Sequence, residues 1–126
     1  MKNELKATVL IIEDNDNNIY METYLLENSG YSVIQARNGH LGIELAQKEQ
    51  PDLILLDIQL PQMDGYTVAA ALKKGEGTKN IPIVAVTSYA MPGDREKVIE
   101  AGCDGYVEKP INTETFVDEV IQFLKP

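Results

Sequence analysis

One cysteine, Cys103, occurs in the 126 residues of the chain. A single thiol excludes an intramolecular disulfide and a cysteine-based metal cluster, which suits a reducing compartment. Basic residues are also scarce: 11 Lys plus Arg stand against 20 Asp plus Glu, a formal charge of -9. That sign opposes any grip on phosphate backbones, so direct nucleic-acid binding is not expected. No apolar run approaches the roughly 20 residues of a membrane span. The segment Met1 to Lys6 lacks the apolar core of a secretion signal. A cytoplasmic protein with no membrane association is expected.

What remains is 44% hydrophobic content, enough for residues 1–126 to form one domain with its own core. Short β-branched and aliphatic runs alternate with longer amphipathic stretches, the pattern of βα units on a parallel sheet. Five units fit. The first strand spans Thr8 to Ile12 and stops at Glu13-Asp14. Asn15 to Asn18 supply caps and negative charge for a helix reaching Ser29, with Gly30 behind it. Tyr31 to Ala36 reads as the second strand, Asn38-Gly39 as a turn, and Leu41 to Glu49 as the second helix.

Leu53 to Leu56 form the third strand with Asp57 at its end, and Tyr66 to Lys74 the third helix. Ile83 to Val86, ended by Thr87, make the fourth strand. Pro92 suits the first turn of a fourth helix that runs to Ala101, before Gly102. Tyr106-Val107 is a short fifth strand. Phe116, Val117, Val120, Ile121 and Leu124 mark the buried face of the last helix. An α/β layer sandwich of (βα)5 type is predicted, its parallel sheet doubly wound with helices on both faces.

Glu13, Asp14, Asp57, Thr87 and Lys109 all fall just past the carboxyl ends of predicted strands. In an open parallel sheet that edge is where ligands bind, so residues far apart in sequence converge there. Three converging carboxylates repel one another, and a hard divalent cation relieves the repulsion. Mg2+ suits the set because it takes one or two carboxylates together with phosphate oxygens. Asp57 would then be a carboxylate nucleophile, with Lys109 and Thr87 donating to the phosphoryl oxygens. The donor would be a phosphohistidine.

Ile12-Glu13-Asp14-Asn15, Leu56-Asp57-Ile58-Gln59-Leu60-Pro61-Gln62-Met63-Asp64-Gly65, Val86-Thr87 and Lys109-Pro110 resemble the signature of CheY-like response regulator receiver domains of two-component signalling. The resemblance runs the length of the chain. It implies the flavodoxin-like strand order 2-1-3-4-5 and phosphorylation of Asp57. Metal would be held by Asp14, Asp57 and the backbone carbonyl of Gln59, with Glu13 in an outer shell and Mn2+ able to replace Mg2+. Thr87 and Tyr106 would form the switch, Gln59 and Tyr89 would tune hydrolysis, and the Lys109-Pro110 bond would be cis. The face of the fourth helix, fifth strand and fifth helix would engage a downstream protein. A sensor histidine kinase or phosphotransfer protein would supply the phosphoryl group. Such a domain catalyses its own phosphorylation and dephosphorylation and is not a conventional enzyme. The segment Tyr89 to Asp94 looks like stand-alone regulators of the DivK type and like receivers of hybrid kinases, and the fifth helix is followed directly by Pro126, as expected of a single-domain switch or of a receiver cut from a longer protein.

Blander readings stand beside these. Glu13-Asp14 could cap a helix, Ser88 could take the hydroxyl role of Thr87, and Tyr106 could be an ordinary half-buried core residue. His40 reads as a surface residue and Cys103 as a small buried hydrophobe. A dehalogenase-type phosphatase would need a second acid two residues after the nucleophile, where Gln59 stands. A flavodoxin-type carrier would need a Gly- or hydroxyl-rich phosphate loop after the first strand, where acids stand.

Overall fold

A computed structural model describes residues 6–60, 62–88 and 93–125. The apolar runs form β1 (Thr8–Ile12), β2 (Ser32–Ala36), β3 (Leu53–Asp57), β4 (Ile83–Thr87) and β5 (Gly105–Glu108). Between and after them lie α1 (Asp16–Asn28), α2 (Gly39–Glu49), α3 (Gly65–Lys74), α4 (Asp94–Glu100) and α5 (Phe116–Ile121). All strand pairs are parallel, in the order β2-β1-β3-β4-β5, as the sequence pattern and the resemblance led us to expect.

Alternation along each strand divides the core into two layers. Leu10, Ile12, Ile54, Leu56, Ile83 and Ala85 pack with Val68, Ala69 and Leu72 of α3, Ala46 of α2 and Val98 of α4. Val9, Ile11, Leu53, Leu55, Val84 and Val86 point the other way, onto Leu26 of α1 and Phe116 and Val120 of α5. Every residue of β3 is buried, which explains its unbroken apolar run and leaves Asp57 as the one charged residue in it. Cys103 joins the first layer and His40 is exposed, both as read from the sequence.

Helix ends account for most boundary differences. Asn15 caps α1 by accepting from the Asn18 amide at 2.9 Å. At the other end Gly30, at φ 97, lets its own N–H reach Glu27 O and the Tyr31 N–H reach Leu26 O, both at 3.0 Å. Tyr31 is therefore part of this closing motif and joins the same core layer as Leu26, and β2 starts one residue later than its apolar pattern suggested. Asn38 is the N-cap of α2, accepting from Leu41 N at 2.8 Å, so the expected Asn38-Gly39 turn is the first step of the helix. The expectation that the last helix reaches Leu124 is corrected. Beyond Ile121 the amides of Phe123 and Leu124 reach back only three residues, to Val120 and Ile121, and the regular helix ends there. Pro92 lies outside the described residues, among which α4 starts at Asp94.

Candidate functional site

The carboxyl edge of the sheet assembles the site from β1, β3, β4 and β5. Ile12 pairs with Leu56, and Asp57 with Val86, so the residues that follow β1 and end β3 stand side by side. One oxygen from each of Glu13, Asp14 and Asp57 lies within 4.8 Å of the others. Glu13 and Asp57 are buried at 1% and 3% exposure, whereas Asp14 opens to solvent. Gly65 permits the tight seating of α3 behind this point, because a Cβ there would stand 2.5 Å from the Ile58 Cα and 2.8 Å from the Asp57 carbonyl oxygen.

Lys109, on the loop after β5, sends its ammonium to 3.2 Å from Asp57 Oδ1 and 3.3 Å from Glu13 Oε1. Its own amide donates to Thr87 O at 2.8 Å, which fixes the loop against β4. The Lys109-Pro110 peptide is cis. Burial by itself lowers the affinity of this ammonium for its proton, but the two carboxylates outweigh burial and raise it, so Lys109 stays charged. Asp57 Oδ1 also accepts from the Gln59 amide at 3.0 Å.

Glu13 Oε2 accepts from the Asn15 amide at 3.1 Å. Glu13 Oε1 is buried and has the Lys109 ammonium at 3.3 Å, but no well-oriented hydrogen-bond donor among the described residues. Burial, followed by the neighbouring Asp57 charge, pushes the Glu13 carboxyl up to about 7. A water on a divalent ion held by Asp14 and Asp57 would supply the missing donor, and the ion would remove the repulsion. The residues present therefore fit Mg2+.

Thr87 ends β4, is 2% exposed and lies in register with Glu108. Ser88, the alternative hydroxyl, is committed elsewhere: its Oγ donates to Gln59 Oε1 at 2.8 Å and its amide to the same oxygen at 3.3 Å. Tyr106 is half-buried and packs against the α2, α3 and α4 layer. Tyr89, expected to tune hydrolysis, lies outside the described residues.

A family model for the response regulator receiver domain matches residues 9–121. The chain belongs to that family. This receiver domain is 42% identical to the polar-differentiation response regulator DivK of Brucella anthropi, over 95% of the chain and 98% of the relative. Its structure is similar to chemotaxis protein CheY4 of Vibrio cholerae, with TM-score 0.88 and 29% identity over 94% of this chain and 98% of that one. The receiver domain of the histidine kinase PA1611 from Pseudomonas aeruginosa, solved with a magnesium ion in its active-site cleft, matches with TM-score 0.85 and 30% identity. That match covers 93% of this chain and 96% of the other. The protein is thus a DivK-like receiver domain of two-component signalling, and no described helix is long and apolar enough to cross a membrane.

Sequence reading passed over one acid in this receiver domain. Glu22 shares the buried stripe of α1 with Ile19 and Leu26 and is 2% exposed. Burial first, then the charge of Glu13, pushes its carboxyl up to about 8, with Lys109 pulling the other way. The 19, 22, 26 spacing was visible in the sequence and marks Glu22 as inward-facing. That it faces the charged edge of the sheet follows only from the packing.

Proposed function

We propose that Asp57 is the phosphoacceptor of a cytoplasmic signalling switch charged by a histidine kinase or phosphotransfer protein. The observation that carries this reading is the Lys109 ammonium 3.2 Å from Asp57 Oδ1 inside a cluster of three carboxylates. In the transfer, an Asp57 carboxylate oxygen bonds to phosphorus while the P–N bond of the donor breaks. The electron pair stays on the ring nitrogen, and a donor protonated at its other nitrogen leaves as neutral imidazole. Water later attacks phosphorus and releases inorganic phosphate. The chain thus catalyses only its own modification and its reversal.

Asp14, Asp57 and the Gln59 carbonyl would hold Mg2+, with Glu13 reaching it through water. The ion, when bound, neutralises charge on the phosphoryl oxygens. Lys109 pairs with a second phosphoryl oxygen and Thr87 donates to a third. Tyr106 stands beside a cleft of about 320 Å³ lined also by Arg95, Ile99, Asp104, Gly105 and Phe123, between α4 and the end of the chain. Movement of Thr87 toward the phosphoryl group would repack Tyr106 and change this face for a downstream protein. The test is labelling with acetyl phosphate and Mg2+, read by intact mass. One acid-labile phosphoryl group is expected on the wild type and none on Asp57→Asn. Undiminished labelling of that variant refutes the assignment.

A further inference from the structure

The loops at the carboxyl edge carry many acids and two cations, Lys109 and Arg37, among the described residues. Lys109 is largely enclosed, its side chain 17% exposed. Arg37 is 55% exposed and its guanidinium pairs with Asp16, which is 81% exposed. It follows directly on Ala36, which pairs with Ile12 and whose carbonyl accepts from the Glu13 amide at 2.9 Å. β1 separates β2 from β3, so Arg37 and Asp57 stand two strand spacings apart, about 10 Å between backbones.

A phosphoryl donor approaches this edge as an anion, against a net charge of -9 and past the exposed Asp14 and Asp16. The carboxylate now on Arg37 is a weak competitor, since both partners are exposed and solvent screens the pair. The guanidinium fork fits two phosphoryl oxygens as well as it fits a carboxylate. Building on the phosphoacceptor reading above, we propose that Arg37 recruits the phosphodonor, leaving Asp16 to pair with the dianionic phosphoryl group as it enters. Asp16 sets how available Arg37 is. The ligand is the phosphoryl group itself, whether carried on nitrogen, as in phosphohistidine, or on an acyl oxygen.

A merely structural ion pair and a recruiting one differ in sign. If the pair only tethered the β2–α2 loop to α1, removing either partner would act in the same direction. If Arg37 recruits the donor, Arg37→Gln slows labelling and Asp16→Asn speeds it. The experiment measures the second-order rate of Asp57 labelling with acetyl phosphate and, separately, with phosphoramidate, both with Mg2+. Arg37→Gln should slow both donors by the same factor, roughly 5-fold, the ceiling for one exposed charge. Asp16→Asn should accelerate both about 2-fold, and Arg37→Lys should fall between Arg37→Gln and wild type. All these differences should vanish near 1 M salt, where screening acts within about 3 Å.

Net charge alone is controlled by Lys79→Gln and Glu76→Gln, which break an exposed ion pair in the α3–β4 connection, away from the site. Equal effects from these variants, or rates of Arg37→Gln and Asp16→Asn that move together, or an effect on one donor only, overturn the proposal. So does an unchanged rate in Arg37→Gln when the wild type labels normally. Absence of label on the wild type would instead remove the phosphoacceptor reading, and this inference with it.

Discussion

Replacing Glu22 by Gln should stabilise the protein, and increasingly so as pH rises. The carboxyl is 2% exposed on the inner face of α1, has no ion pair among the described residues, and is pushed from 4.5 up to about 8. A raised folded-state pKa means that the native state holds the proton longer than the unfolded chain does. The favourable contribution is complete below pH 4.5 and is lost as pH rises toward 8. At pH 7 the loss integrates to about 3 kcal/mol, and at pH 5 to about 1 kcal/mol, at 1.36 kcal/mol per pH unit. The neutral amide of Glu22→Gln carries no such slope, so the gap between variant and wild type should widen by about 2 kcal/mol from pH 5 to pH 7. For 126 residues, at about 2.1 cal/mol/K of unfolding entropy per residue, that corresponds to roughly 8 °C in Tm. Thermal melts from pH 5 to 8 in chelator, for wild type and Glu22→Gln, provide the assay. Added Mg2+ should narrow the gap, because its charge draws the proton off Glu22. Parallel curves for the two proteins would refute the argument and place Glu22 in a far more polar setting than its burial implies.

Saturating Mg2+ should raise Tm through linkage, by about 1.4 kcal/mol of stability at ten times the dissociation constant. Calorimetric titration of Asp14→Ala should find that binding lost; unchanged affinity would move the metal elsewhere. Gly65→Ala should cost about 1 to 3 kcal/mol in urea unfolding, since the new methyl meets backbone at 2.5 Å, where nothing can rotate away. Beryllofluoride should shift amide signals in α4, β5 and α5, and Tyr106→Trp, locked by its bulk, should uncouple those shifts from the Asp57 pocket. Confinement of the shifts to that pocket would leave a phosphate relay in place of a switch.

Much of the site was legible in the sequence because each part is written in local signals. Asp57 could be placed at a sheet edge from the four apolar residues before it, and Lys109 and Thr87 from the strands they close. Charge, residue type and strand end are properties of a short segment, and parallel βα winding carries all such ends to one edge. The Gly30 helix stop was equally local, since only one residue in that stretch adopts positive φ without strain.

Pairings between segments were a different matter. That Ser88 binds Gln59, that Asp16 takes Arg37, and that Lys109 leans on Glu13 as well as Asp57 depend on side-chain reach and loop direction, which no periodicity records. The starting point of β2 and the end of α5 were decided by backbone hydrogen bonds to residues three to five positions away, which apolar spacing does not encode. Glu22 shows both halves of the division. Its inward orientation is a matter of helical period and belongs to the sequence. Its raised proton affinity belongs to the tertiary structure alone, because that requires the fold to exclude water from the carboxyl while Glu13 and Asp57 are held within electrostatic range.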